Sequence, residues 1–107
     1  MDSHRFEFGI ALPVTHSDQG VVIRGRNHEG AIQLGAMFTR ARTLEFRGPL
    51  TGELVRVWSN ERKVCLRVER ITAYGHDLQE LSPGMTAQLE LTGSGGTSLS
   101  KNDVLDG

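Results

Sequence analysis

The chain has 107 residues, 37% of them apolar and 23% charged, with a net charge of −1. That length suits one domain with a core of its own; the composition excludes a disordered tail, and the near-zero net charge argues against a generic polyanion binder. The single cysteine, Cys65, excludes a disulfide framework or a cysteine-rich zinc site. No run approaches the ~20 apolar residues of a membrane span. The first residues, Met1 to Glu7, lack the apolar stretch of a secretory signal, so a reducing cytoplasm is the expected compartment.

Residues 5–12 alternate with period 2, placing Phe6, Phe8, Ile10 and Leu12 on one side and Arg5 and Glu7 on the other, as a half-buried strand does. Pro13 closes that strand, and His16 to Gly20 reads as a turn. Glycines then recur every five residues, at Gly20, Gly25, Gly30 and Gly35, around Val21-Val22-Ile23 and Ala31 to Leu34. Each glycine inside a helix costs roughly 1 kcal/mol against alanine, whereas turns, bulges and barrel corners favour it. This stretch therefore predicts short strands joined by tight turns: a strand over Val21 to Arg26, a turn over Asn27 to Gly30, and a strand over Ala31 to Leu34 broken by Gly35.

Ala36 to Thr43 predicts a further strand, and Gly48 to Gly52 a loop. Leu54 to Trp58 reads as extended, with Val55 and Val57 opposed to Leu54, Arg56 and Trp58, followed by a turn at Ser59 to Glu61. Lys63 to Ile71 alternates with Val64, Leu66 and Val68 inward, and its phase slip at Arg70-Ile71 suits a bulge. Tyr74 to Leu78 reads as a loop, residues 76–82 as the one place for a short helical turn, and Leu81 to Gly84 as a turn. Thr86 to Thr92 is the last full strand, with Ala87, Leu89 and Leu91 inward. Residues 93–102 are rich in glycine and serine and read as flexible before a short closing strand at Val104-Leu105. The whole, residues 1–107, reads as a single all-β domain, a small antiparallel barrel or sandwich.

Catalytic chemistry has no constellation to work with. His4, His16, His28 and His76 are scattered in or beside predicted loops, with no His-Glu-x-x-His pattern, so no metal or cofactor is expected. Cys65, flanked by apolar residues, reads as a buried, inert thiol. No Gly-x-Ser-x-Gly elbow occurs, and Asp77 and Glu80 share a loop as ordinary surface acids do. An enzyme is not expected.

Binding has more to build on. From Arg40 to Arg70 there are eight cations and four acids, a segment of +4, while the remainder of the chain is −5. Seven of those cations are arginines, suited to bidentate contacts with phosphate or carboxylate. Arg40, Arg42 and Arg47 suit phosphate or an acidic protein face, and Arg24 and Arg26 on one strand face extend the patch; a solvated strand face accounts for the same residues. Trp58, beside Arg56, is either a core residue or an exposed stacking anchor.

Gly20-Val21-Val22, Gly25, Gly30, Ile32 and Gly35, then Val64 to Ile71, Pro83-Gly84, Thr86 to Leu91 and Gly93, and finally Asn102-Asp103-Val104-Leu105 keep a spacing that resembles one known module. It is the second domain, a six-stranded β-barrel, of translational GTPases of the elongation factor Tu type. The resemblance covers roughly residues 6–106. It implies a closed antiparallel β-barrel of about six strands, with Gly20, Gly25, Gly30, Gly35, Gly84 and Gly93 as fold-determining turns. It also implies a non-catalytic role in association with RNA, the ribosome or a translation factor. Three departures matter. Ala36 and Met85-Thr86 stand where the family has acidic and polar residues, and the change at Met85-Thr86 argues against the aminoacyl-tRNA pocket that the family forms in that later region. The segment from Thr43 to Arg62 is longer than the family's connection. No Gly-x-x-x-x-Gly-Lys-Ser/Thr occurs, so the chain itself binds no GTP. The start at Met1 reads as native rather than as an internal excision from a larger factor. Near-neutral charge and the altered pocket residues leave a second reading, a protein-interaction module outside translation such as an inhibitor, an immunity-type protein or a small regulator.

Overall fold

In the computed structural model, residues 5–48 and 55–107 are described, Arg47 by its backbone alone. Strands dominate the chain in the order β1 (Glu7–Ile10), β2 (Thr15–Ser17), β3 (Gly20–Glu29), β4 (Ile32–Gln33), β5 (Met37–Arg47), β6 (Val55–Ala73), β7 (His76–Leu78), β8 (Glu80–Leu81), β9 (Thr86–Ser94) and β10 (Asp103–Asp106). A single 3₁₀ turn, Gly96–Ser98, lies between β9 and β10. The predicted helical turn at residues 76–82 is not formed: these residues make β7 and β8.

The strands close a ring. β1 pairs with β10, β10 with β5, β5 with β6, β6 with β9 and β9 with β3, and β3 returns to β1, every pair antiparallel. The expected six-stranded closed barrel is therefore present, and closure removes the open edges that a small sheet would expose. β2 flanks β3, β7 folds back on β6, and β4 and β8 form a separate two-stranded sheet.

Period-2 alternation fills the barrel. Phe8, Ile23, Phe38, Leu66, Ile71, Leu89 and Leu105 are each buried to within 1% of completely, joined by Ile32 and Leu81 from the β4–β8 pair. Phe6 packs edge-on against Phe38 with ring centroids 5.4 Å apart. Val64, Leu66 and Val68, and Ala87, Leu89 and Leu91, point inward as expected. The slip at Arg70-Ile71 is a register shift between Val68 and Arg70 against β9. By contrast Leu12, expected inside, lies past the end of β1 and is half exposed.

Other expectations shift for local reasons. β3 runs unbroken through Gly25 to Glu29, so the predicted short strand and turn are one ten-residue strand. Gly25 is needed there because β1 crosses so close that a Cβ would overlap the carbonyl oxygen of Gly9. Gly20 and Gly93 likewise sit in strands against backbone carbonyls, whereas Gly30, Gly35 and Gly84 occupy turns with positive φ. Asn27, predicted in a turn, is fully buried at the end of β3, where its Nδ2 donates to the carbonyls of Gly30 (2.7 Å) and Leu81 (2.9 Å). It thereby ties the β4–β8 pair to the ring.

Ser59 to Glu61 is not a turn: β6 continues through it, and Asn60 absorbs the irregularity at φ 51°. Tyr74 and Gly75 form the tight turn between β6 and β7, with φ of 54° and 78°, the signature of a two-residue hairpin loop. Gly93 and Ser94 belong to β9, and beyond the 3₁₀ turn Leu99 is buried, leading to the closing strand at Val104-Leu105. The predicted loop at Gly48 to Gly52 lies largely outside the described residues.

Candidate binding surface

Two regions hold the arginines singled out by the sequence, and they use them differently. On the ring wall β10 lies between β1 and β5 and carries two buried carboxylates, Asp103 and Asp106. A buried carboxylate must be compensated. Arg40 grips Asp106 with a two-point fork, Nε to Oδ1 at 2.9 Å and Nη2 to Oδ2 at 2.8 Å, and also reaches Glu61 at 3.4 Å. The hydrogen bonds to Asp106 raise the guanidinium of Arg40 above its ordinary pKa. Arg42 reaches Glu7 (3.4 Å) and Asp106 (3.7 Å), and Glu7 is bonded in turn to Nδ1 of His28 at 3.0 Å. Arg62 takes Asp103, whose carboxylate also accepts from the hydroxyl of Thr43 and the amide of Ser100. Arg40 and Arg42, expected to meet phosphate or an acidic protein face, thus neutralise acids of their own barrel.

The second region is the far end of the β5–β6 hairpin. Leu44 is the last residue of β5 bonded to the segment before β10, through the carbonyl of Asn102. Beyond it the pairs Glu45↔Val57, Phe46↔Arg56 and Arg47↔Val55 join the two strands only to each other among the described residues. Three residues at roughly 3.3 Å each carry this ribbon about 10 Å past the ring. Paired residues share a face, so Leu44, Phe46, Arg56 and Trp58 project to one side. Trp58 is 40% exposed, and its ring is covered on one face by Arg42, whose guanidinium carbon lies 3.8 Å from the ring centroid. The two alternatives for this residue resolve into a mixture: it is neither a core residue nor a free anchor, but a platform half taken by a cation–π contact.

Between this ribbon and the ring wall is a cleft of about 330 Å³, lined on one side by Leu44 and Phe46, on the other by Arg26 and His28, and floored by Ile10 and Val104. Arg26 donates from Nε to the carbonyl of Gly84 at 3.2 Å, and Arg24, on the same strand face, donates to Gln88 at 2.9 Å. Neither meets a carboxylate among the described residues, and Arg56 is likewise exposed without an ion pair there. The side chain of Arg47 lies outside the described set. The structure therefore places Arg26 in the cleft, sets Arg56 and Trp58 beside it as the cross-strand partners of Phe46 and Leu44, leaves Arg24 farther along β3, and assigns Arg40 and Arg42 to the wall. Phe46 escaped the sequence reading; its signal was the length of the Thr43 to Arg62 segment, whose described residues include the ribbon.

Other predicted groups take ordinary places. Cys65 is exposed rather than buried, because the alternation that turns Val64 and Leu66 inward turns the residue between them outward. Asp77 is held by Arg70 at 2.9 Å, and Glu80 accepts from Gln33, so the two carboxylates are engaged separately. No cluster of three metal-ligating side chains occurs among the described residues, nor any helix long and apolar enough to cross a membrane.

The ring is the class-defining feature: a six-stranded antiparallel barrel. No protein-family model and no curated protein matches the chain. Among solved structures it is similar to translation elongation factor SelB from Methanococcus maripaludis. The apo form and the complex with the GTP analogue GPPNHP each match at a TM-score of 0.67 and 13% identity. Each match covers 95% of this chain and 18% of the other, so the chain spans less than a fifth of the length of those structures. At that identity the likeness is one of fold alone, to part of a translation elongation factor.

Proposed function

We propose that the chain is a non-catalytic binding module of the translation apparatus, built like the second domain of elongation factor Tu-type GTPases and associating with RNA, the ribosome or a translation factor. The observation that carries this reading is the match of nearly the whole chain to part of an elongation factor. The sequence pattern of glycines from Gly20 to Gly93 supports it independently. The absence of a phosphate-cradling motif fits a barrel that does not itself bind GTP. One observation favours a second reading, a protein-interaction module outside translation. Arg40, Arg42 and Arg62 are consumed by carboxylates of the same chain, which removes three of the eight central cations from any phosphate contact.

Co-sedimentation of the purified chain with ribosomes, with and without RNase and across a salt series, separates the two. Ribosome association that is lost on RNase treatment and falls steeply with salt is the expected result. Capture of one protein that persists through RNase and high salt, with no ribosomal component, overturns the translation reading in favour of the second.

A further inference from the structure

Resting on the translation reading, we infer that the cleft between the β5–β6 ribbon and the ring is a seat for single-stranded RNA. One unpaired base stacks on Phe46, and the flanking phosphates are held by Arg26 and Arg56. Phe46 is 60% exposed on a ribbon supported by no third strand, an apolar ring that contributes little to the core. An exposed aromatic flanked by arginines is the chemistry that stacks bases without sequence preference. The cleft, at about 330 Å³, lies at the small end of the range for ligand sites, a size that accommodates one nucleotide.

Charge decides the occupant. The acids bordering the cleft and the wall beneath it, Glu7, Asp103 and Asp106, are each engaged by arginine, and Glu7 also by His28. Arg26 bonds only a backbone carbonyl, and Arg56 meets no acid among the described residues. Arg26 thus lines the cleft with Phe46, and Arg56 is the cross-strand partner of Phe46 on the same ribbon face, so the exposed aromatic ring has one cation on the barrel wall and one beside it on the ribbon for the flanking phosphates. A larger recess of about 440 Å³ around Phe6, Gln33 and Leu34 has Arg5 as its cation, and Arg5 already lies beside Glu29. It lacks the pairing of an exposed ring with uncompensated charge.

Trp58, the sole tryptophan, shares the ribbon face with Phe46 and pairs across the ribbon with Leu44, which lines the cleft, so its emission is a nearby reporter. An oligouridylate of about eight nucleotides, titrated into the full chain, is expected to change Trp58 fluorescence saturably. Two phosphate contacts predict a loss of roughly sevenfold in affinity between about 50 and 200 mM salt. Phe46→Ala is expected to weaken binding about tenfold with an unchanged urea midpoint, and Arg26→Gln or Arg56→Gln to halve the salt slope. Tyr74→Ala, an exposed ring at the opposite hairpin, is expected to change nothing. The assignment is overturned by wild type that binds no RNA, by Phe46→Ala binding like wild type, by equal competition from duplex RNA, or by preferential binding of an acidic peptide. Ribosome co-sedimentation separates this from the broader reading. If wild type and Phe46→Ala sediment alike while RNA binding at the cleft fails, the translation reading stands without the cleft. If wild type does not sediment, that reading fails and the cleft is judged by the RNA titration.

Discussion

The ring and the ribbon are built from the same two strands, β5 and β6, yet they follow different rules. Inside the ring each strand has a neighbour on both sides and one face against a common core, so Phe38 on β5 is fully buried. A few residues on, the same strand has one neighbour, and Phe46 is largely in solvent. The charged residues divide the same way. Arg40, Arg42 and Arg62 on the ring are held by acids of the same chain, the buried Asp103 and Asp106 among them, while Arg56 on the ribbon is free of ion pairs among the described residues. The buried core lies within the ring, and Phe46 on the ribbon adds nothing to it.

The sharpest way to break that comparison is to make one substitution in both places. Phe8→Ala removes a fully buried ring and is expected to cost about 3–5 kcal/mol, measured by urea unfolding. Phe46→Ala is expected to cost less than about 0.5 kcal/mol. Comparable losses would mean that the ribbon is part of the cooperative core and not an overhang. A smaller but still substantial effect is expected at the wall. Asp106→Asn keeps the shape but removes the charge that holds Arg40 and Arg42. Breaking a buried pair costs about 3–5 kcal/mol; because Arg40 is one-third exposed, about 2 kcal/mol is expected here. A loss below about 0.5 kcal/mol would show that water satisfies those arginines as well as the carboxylate does.

The ring was legible because one of its faces is buried, which forces period-2 alternation at Val64, Leu66 and Val68 and at Ala87, Leu89 and Leu91. Cys65 was misread as buried from its apolar flanks, although the same alternation is what turns it outward. The turn expected at Ser59 to Glu61 rested on local turn chemistry, which tertiary pairing with β5 overrides, leaving only the positive φ of Asn60 as its trace. The roles of Arg40 and Arg42 were not legible. Their carboxylates lie 66 and 35 residues away along the chain, at Asp106 and Glu7, and only ring closure brings them together. Asn27 escaped for a similar reason, since its partner carbonyl at Leu81 is 54 residues distant.

Where ring and ribbon meet, Arg42 lies over Trp58. Arg42→Lys keeps the charge but loses the planar face, and is expected to cost about 0.5–1 kcal/mol. It should also change the emission of Trp58 in the absence of any ligand. An unchanged spectrum would mean that the arginine is held by Glu7 and Asp106 alone and that the junction between the two regions is looser than the stacked geometry indicates.

The smallest effect belongs to the opposite hairpin, where Arg70 and Asp77 join β6 to β7 at the surface. The hydrogen bond from Arg70 holds the carboxyl of Asp77 below its ordinary value of 3.8. A carboxyl with a depressed folded-state pKa binds protons less readily folded than unfolded, so its contribution is complete above the ordinary value and is lost as pH falls below it. Asp77→Asn should therefore leave stability near neutrality almost unchanged, because exposed pairs contribute little. It should also flatten slightly the acid limb of a plot of unfolding midpoint against pH. An acid limb identical to wild type would mean that the pair forms no better in the folded chain than in the unfolded one, and that β7 is held by its backbone ladder to Ile71, Thr72 and Ala73 alone.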